Sequence, residues 1–141
     1  MGYLAKVFYP KVLGIVVTAS HNPMKDNGIK LLDIHGGYIR INLEATFNSF
    51  VNEEDLSKGF ADFKASIQNF FDLKIRDWDK GRCLIGRDTR LTSPEISNLM
   101  VKAIQLLNSD ILDFGEQTTP QIQWYISKFN TEHSLQKWWS C

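Results

Sequence analysis

The stretch Gly14-Ile15-Val16-Val17-Thr18-Ala19-Ser20-His21-Asn22-Pro23 decides the fold. Its first half is continuously apolar and β-branched, which fits a strand buried on both faces of a sheet. Its second half is polar and reaches an Asn-Pro break, followed by an Asn-Gly turn signal at Asn27-Gly28. In α/β proteins ligands bind outside the carboxyl ends of the strands. Thr18, Ser20, His21 and Asn22 therefore fall where chemistry is expected. Ser20 offers a hydroxyl that can be phosphorylated or act as a nucleophile, and His21 and Asn22 offer donors for phosphate oxygens. Ten residues beyond Ser20, Lys30 supplies a cation or a proton-transfer group. A polar turn that merely bonds its own backbone is the competing reading.

Outward from this stretch, Leu4, Val7 and Phe8 have helical spacing within residues 1–9, and Ile29 to Leu32 reads as a short strand. Leu43, Phe47, Phe50 and Val51 mark an amphipathic helix, and Phe60, Phe63, Ile67, Phe70 and Phe71 a second, divided from the first at Ser57 to Gly59. Cys83 to Gly86 reads as a strand that runs into the charged turn Gly86-Arg87-Asp88-Thr89-Arg90. Two arginines and an aspartate at a strand end suit an anion clamp or the support of a neighbouring loop. An internal ion pair that only stiffens the turn fits equally. The next helix starts at Thr92 or Ser93 with Pro94 in its first turn, and Ile96, Leu99, Met100, Ala103, Ile104 and Leu107 form its expected buried stripe. Asp110 to Phe114 is strand-like. Gln117-Thr118-Thr119-Pro120 reads mainly as a cap for a last helix through Ile122, Tyr125, Ile126 and Phe129. Strand, loop and helix alternate here, so the expected fold is α/β, with a mostly parallel or mixed sheet flanked by helices.

Composition narrows the function classes. The 141 residues suit one domain, expected over 1–130 with a divergent tail over 131–141. Lys plus Arg and Asp plus Glu are 16 each, so no net field draws nucleic acid or an anionic membrane, and neither is an expected partner. The apolar run Val12 to Val17 is too short to span a bilayer and lacks a secretory cleavage pattern, so a cytosolic setting is expected. Cys83 and Cys141 are too few for a disulfide scaffold, and no CxxC or HExxH spacing occurs. His35 beside Gly36-Gly37 reads as a turn residue, and His133 carries no signal. Trp124, Trp138 and Trp139 crowd the C-terminal part, and Trp138-Trp139 reads either as a solvent-exposed scar where a larger structure is missing or as a docking surface.

Thr18-Ala-Ser-His-Asn-Pro23, followed by Asp26-Asn27-Gly28-x-Lys30, resembles the active-serine loop of the α-D-phosphohexomutases. These enzymes move a phosphoryl group between the 6- and 1-hydroxyls of a hexose. The Gly86-to-Arg90 turn and the Thr119-Pro120 loop resemble the same family's first domain. In most members the Gly-Arg-Asp-Thr-Arg turn precedes the serine loop, whereas here it begins 66 positions after Ser20. That order resembles the eukaryotic branch acting on N-acetylglucosamine phosphates, on the way to UDP-N-acetylglucosamine.

The resemblance implies that Ser20 carries a phosphate in the resting enzyme and cycles through a hexosamine bisphosphate. Phosphoserine bears a charge of about −1.5 to −2. Mg²⁺ bound through the Ser20 phosphate is the implied neutralising cofactor. Lys30 takes an implied general acid/base role, with His21 beside it. Thr18, Asn22, Arg87, Asp88 and Arg90 are the implied substrate- or phosphate-binding residues.

Several family features have no counterpart here. These are the opening turn with its Phe-Arg pair, the Asp-Gly-Asp-x-Asp-Arg metal loop, and the sugar- and phosphate-binding loops of later domains. Asp26, Asp33 and Asp88 do not replace the metal loop. The expectation is a serine-loop domain, incomplete at its N-terminus and separated from the other mutase domains, with negligible turnover by itself. A non-catalytic module that associates with a full-length mutase is the alternative.

Overall fold

The structure is a computed structural model that describes residues 1–19 and 21–132. Ser20 and the sequence features at His133, Trp138, Trp139 and Cys141 lie outside the described residues. The elements run α1 (Gly2–Phe8), β1 (Leu13–Val17), β2 (Ile29–Leu32), α2 (Ile41–Val51), α3 (Leu56–Phe71), β3 (Gly81–Arg87), α4 (Ser93–Leu106), β4 (Ser109–Glu116) and α5 (Thr119–Thr131). The strands form one sheet in the order β2-β1-β3-β4. β1 pairs parallel with β3, and β3 with β4, while β2 returns antiparallel beside β1. The expected α/β fold is present, with a mixed sheet. Only residues 18–28 separate β1 from β2, and a parallel crossover needs about a dozen or more residues, usually including a helix.

The apolar run of β1 is explained by a layer on each side. Leu13, Ile15 and Val17 join Cys83 and Ile85 of β3 in a core with Tyr3, Leu4, Leu43, Phe63, Ile67 and Ile104. Val16 and Leu84 point the other way, where Val12, Leu32 and the α5 residues Ile122, Ile126 and Phe129 close a second core. Two strand glycines, Gly14 and Gly86, also lie beneath α5, and a Cβ at either would run into Ile126 or Ile122. Their missing side chains let the helix approach the sheet closely. Asn130 fixes the far end of α5. It accepts from the Val12 N–H at 2.8 Å and donates to the Val12 and Ile34 carbonyls at 2.9 and 2.7 Å.

Two local expectations are corrected. The break between α2 and α3 lies at Asn52 to Asp55, because the Asp55 side chain caps α3 by accepting from the Ser57 and Lys58 N–H groups. Ser57 to Gly59 are therefore the first turn of the helix. On α4, Leu99 is 61% exposed and Ala103 is also exposed, whereas Ser93 and Ser97 are buried. The buried face is narrower than the apolar arc because α1 packs against β3, β4 and α4, covering sheet that α4 would otherwise shield. No helix among the described residues is long and apolar enough to cross a membrane.

Candidate functional site

The strand pairing sets the site. Val17 of β1 lies opposite Ile29 of β2 and Arg87 of β3, and Arg87 opposite Glu116 of β4. This row is one rim of the sheet. From it spring the segments that hold the three stretches singled out in the sequence: the 18–28 loop, the 88–92 turn and residues 117–118, which lead into α5. They enclose an open cleft of about 810 Å³. Of the anticipated site residues, Thr18, His21, Lys30, Arg87, Asp88 and Arg90 line it. Asn22 does not, and its main chain is engaged instead, the N–H donating to the Ala19 carbonyl at 2.7 Å.

The loop is closed at its base, where the Thr18 N–H donates to the Gly28 carbonyl at 2.9 Å. Its two ends are tied to the neighbouring turn. The buried Thr18 side chain hydrogen-bonds Asp88, and Asn27 Nδ2 donates to the hydroxyls of Thr92 and Ser93 at 3.0 and 2.8 Å. Asp88 also accepts from the Ser93 hydroxyl at 2.5 Å and from Arg90 Nε at 3.0 Å. Burial alone would raise the Asp88 carboxyl. The Ser93 hydroxyl, the Arg90 N–H, the Thr18 side chain and the Arg90 charge outweigh that cost and hold it below the usual carboxylate range.

Arg87 is held more loosely. Its Nη1 meets the Asp113 oxygens at 3.3 and 3.4 Å, and its Nε, though buried, has no hydrogen-bond partner among the described residues. Gln117 Oε1 is a second buried polar atom of the cleft residues without one. Buried polar atoms are ordinarily satisfied, so this wall retains unused donor and acceptor capacity.

The third wall is the start of α5. Thr118 and Gln121 form a reciprocal capping box there, Thr118 Oγ1 accepting from the Gln121 N–H and Gln121 Oε1 from the Thr118 N–H. The sequence reading underweighted this wall. Glu116, Gln121 and Gln123 line the cleft with Tyr38, whose residue bridges to Leu32 beside β2. The T-x-x-Q pattern of Thr118-Gln121 was a readable signal for the cap, whereas nothing local marks Tyr38.

The sequence matches the family described as phosphoglucomutase/phosphomannomutase, alpha/beta/alpha domain I, over residues 3–58 and 61–136. The chain belongs to this family.

Among individual relatives, this phosphohexomutase domain is 31% identical over 120 residues to phosphoacetylglucosamine mutase 1 of Schizosaccharomyces pombe, covering 85% of the chain and 22% of the relative. It is 32% identical over 123 residues to phosphoacetylglucosamine mutase of Homo sapiens, covering 84% and 21%. The apo form of an N-acetylglucosamine-phosphate mutase superposes with a TM-score of 0.82 at 26% identity, covering 94% of this chain and 28% of that one. The Aspergillus fumigatus N-acetylphosphoglucosamine mutase in complex with GlcNAc-6P and magnesium superposes at 0.76 and 27% identity, covering 92% and 23%. The chain thus spans about a fifth of the length of the curated relatives it matches.

Among the described residues no three His, Cys, Asp or Glu side chains gather as a metal site, and the Asp88 oxygens are occupied by Ser93 and Arg90. The described residues do not make a magnesium site by themselves.

Proposed function

We propose that this chain is the serine-loop domain of a cytosolic phosphoacetylglucosamine mutase, with Ser20 as the residue that accepts and returns the phosphoryl group. The observation that carries this reading is the convergence of Thr18, His21, Lys30 and Arg87 on one cleft at the mouth of the loop that contains Ser20. The order of the two motifs and the identities to phosphoacetylglucosamine mutases support the N-acetylglucosamine phosphate substrate class.

The chemistry is a phosphoryl transfer. The bond between phosphorus and the sugar oxygen breaks as a bond from phosphorus to Ser20 Oγ forms, and the proton lost by the Ser20 hydroxyl passes to the departing sugar oxygen, which leaves as a hydroxyl. Lys30 is the proposed proton-transfer group, and His21 and Arg87 the donors to the phosphate oxygens. Arg87 suits that role because a guanidinium presents paired donors to an oxyanion. Magnesium would offset the charge on the Ser20 phosphate in this reading, held through that phosphate, since the described residues gather no carboxylate cluster for it. The cleft is open, and positioning contributes about 7–11 kcal/mol in reactions of this kind. A second wall is therefore needed to hold both ends of the sugar, and the chain alone takes up phosphate without completing the cycle.

Incubation with glucose 1,6-bisphosphate and Mg²⁺, followed by intact-mass and peptide analysis, tests the reading. One phosphate on Ser20, lost in Ser20→Ala, is expected. An unmodified Ser20, or equal labelling of Ser20→Ala, refutes it.

The alternative, a non-catalytic module that binds a full-length mutase, draws on Trp124. That residue is 56% exposed on α5, with the Lys128 ammonium 4.8 Å from its ring. Co-purification with a full-length mutase that is lost in Trp124→Ala, with Ser20 unmodified, would favour it.

A further inference from the structure

The two arginines of the Gly86-to-Arg90 turn do different work. A guanidinium has five N–H donors and no acceptor. In Arg90 its nitrogens make five bonds: Nε to Asp88 Oδ2 at 3.0 Å, Nη1 to the carbonyls of Pro23 and Asp26 at 2.8 and 3.4 Å, and Nη2 to those of Ala19 and Asn22, both at 3.0 Å. Its side chain is only 11% exposed. Nothing is left over for a substrate oxygen.

We propose that Arg90 is the positioning residue of the Ser20 loop, fixing the main chain on both sides of Ser20 by gathering the loop's carbonyls onto one largely shielded cation. The catalytic part of this inference rests on the serine-loop reading above, whereas the structural part does not. Ala19 and Asn22 bracket Ser20 in the chain, so their shared partner sets the span across which Ser20 is presented. The carbonyls held by Arg90 carry partial negative charge, and a phosphoryl group arriving at Ser20 is dianionic. Tying those oxygens to a cation removes a source of repulsion from the loop before the phosphate arrives. Asp88 keeps the guanidinium in place, and is itself anchored by its N–H to the Val17 carbonyl and by the Ser93 hydroxyl. The chain of contacts therefore runs from the β1 end, through the β3–α4 turn, into the loop. Lysine cannot replace this arrangement, since one ammonium cannot reach acceptors in a planar fork.

Hydrogen exchange on the full chain, with Ser20 phosphorylation by glucose 1,6-bisphosphate measured in parallel, tests the proposal. In Arg90→Lys, amides of residues 19–27 are expected to exchange at least about tenfold faster while β1 and β3 keep their protection. Asp88→Asn, which loosens the guanidinium without removing it, is expected to give a smaller rise confined to the same residues. The phosphorylation rate of Arg90→Lys should drop at an unchanged half-saturating concentration, whereas Arg87→Lys should raise that concentration.

Unchanged exchange in Arg90→Lys, protection lost across the whole sheet in both variants, or a half-saturation shift like that of Arg87→Lys would each overturn the assignment. If wild-type Ser20 takes no phosphate while exchange in Arg90→Lys still rises, the mutase reading fails and the positioning of the loop by Arg90 stands.

Discussion

Replacing Gly86 by alanine tests how the cleft is assembled from the sheet side. The new Cβ would lie 2.7 Å from both Ile122 Cγ1 and Cδ1 and 3.1 Å from Gln117 Cβ. Carbon atoms in contact prefer about 3.5–4.0 Å, so the start of α5 must shift by roughly 1 Å or Ile122 must leave its rotamer. Ile122 is fully buried and packs in the core that α5 closes over the sheet, so a change of rotamer there displaces neighbouring side chains. Overpacking of this kind costs about 1–3 kcal/mol. Alanine also stiffens the unfolded chain, which offsets about 0.4–1 kcal/mol, so a net loss of roughly 0.5–2 kcal/mol is expected.

Ile122→Ala alone should cost about 2–5 kcal/mol as a cavity. In the double variant the methyl group introduced by Gly86→Ala enters that cavity, so the combined loss should fall short of the sum by at least about 1 kcal/mol. Urea unfolding of all four proteins, with unchanged m-values, measures this coupling. Losses that add within about 0.5 kcal/mol, or a neutral Gly86→Ala, would refute the close-approach argument.

Three further outcomes follow from the same structure. Burial pushes the Cys83 thiol up from 9.0 to about 12. The unfolded thiol ionises first, so the stability from this group is complete below pH 9.0 and is lost as the pH rises through about 12; in native protein at pH 8 the Cys83 peptide should resist iodoacetamide and label only after unfolding. The Asp88 carboxyl is held below 3.8, so its stabilising effect is present above that pH and lost as the pH falls through its lower folded value; acid-unfolding curves of Asp88→Asn should lack this dependence, and an unchanged acid limb would contradict the hydrogen-bond assignment. Asn130→Ala strips partners from the Val12 N–H and from the Val12 and Ile34 carbonyls, and should lower unfolding free energy by about 2–4 kcal/mol by denaturant titration.

Much of this arrangement was legible because local chemistry and burial agree. A β-branched run such as Ile15-Val16-Val17 cannot be left half-solvated, and Pro94 and Pro120 mark helix starts that the backbone respects. The walls of the cleft were legible for the same reason, since polar loops at strand ends signal themselves by composition. What escaped was set by long-range geometry. The exposure of Leu99 follows from where α1 lies, and a periodicity count on α4 cannot see a helix docked beside it. Tyr38 enters the cleft by pairing next to β2, not through any motif. The division of labour between Arg87 and Arg90, three residues apart and chemically identical, is visible only once their acceptors are known.

The excursion between β2 and β3 is the longest in the chain, and of its residues only Tyr38 reaches the cleft. Within the α2–α3 hairpin, Glu44, Phe47 and Asn48 share a smaller recess with Lys30 and Tyr38, whereas the connecting turn lines neither that recess nor the cleft. That turn, at Asn52 to Asp55, is a natural place to graft a fluorophore, an affinity tag or a surface tether. A reporter attached there would register unfolding of the whole scaffold without replacing any residue that lines the cleft.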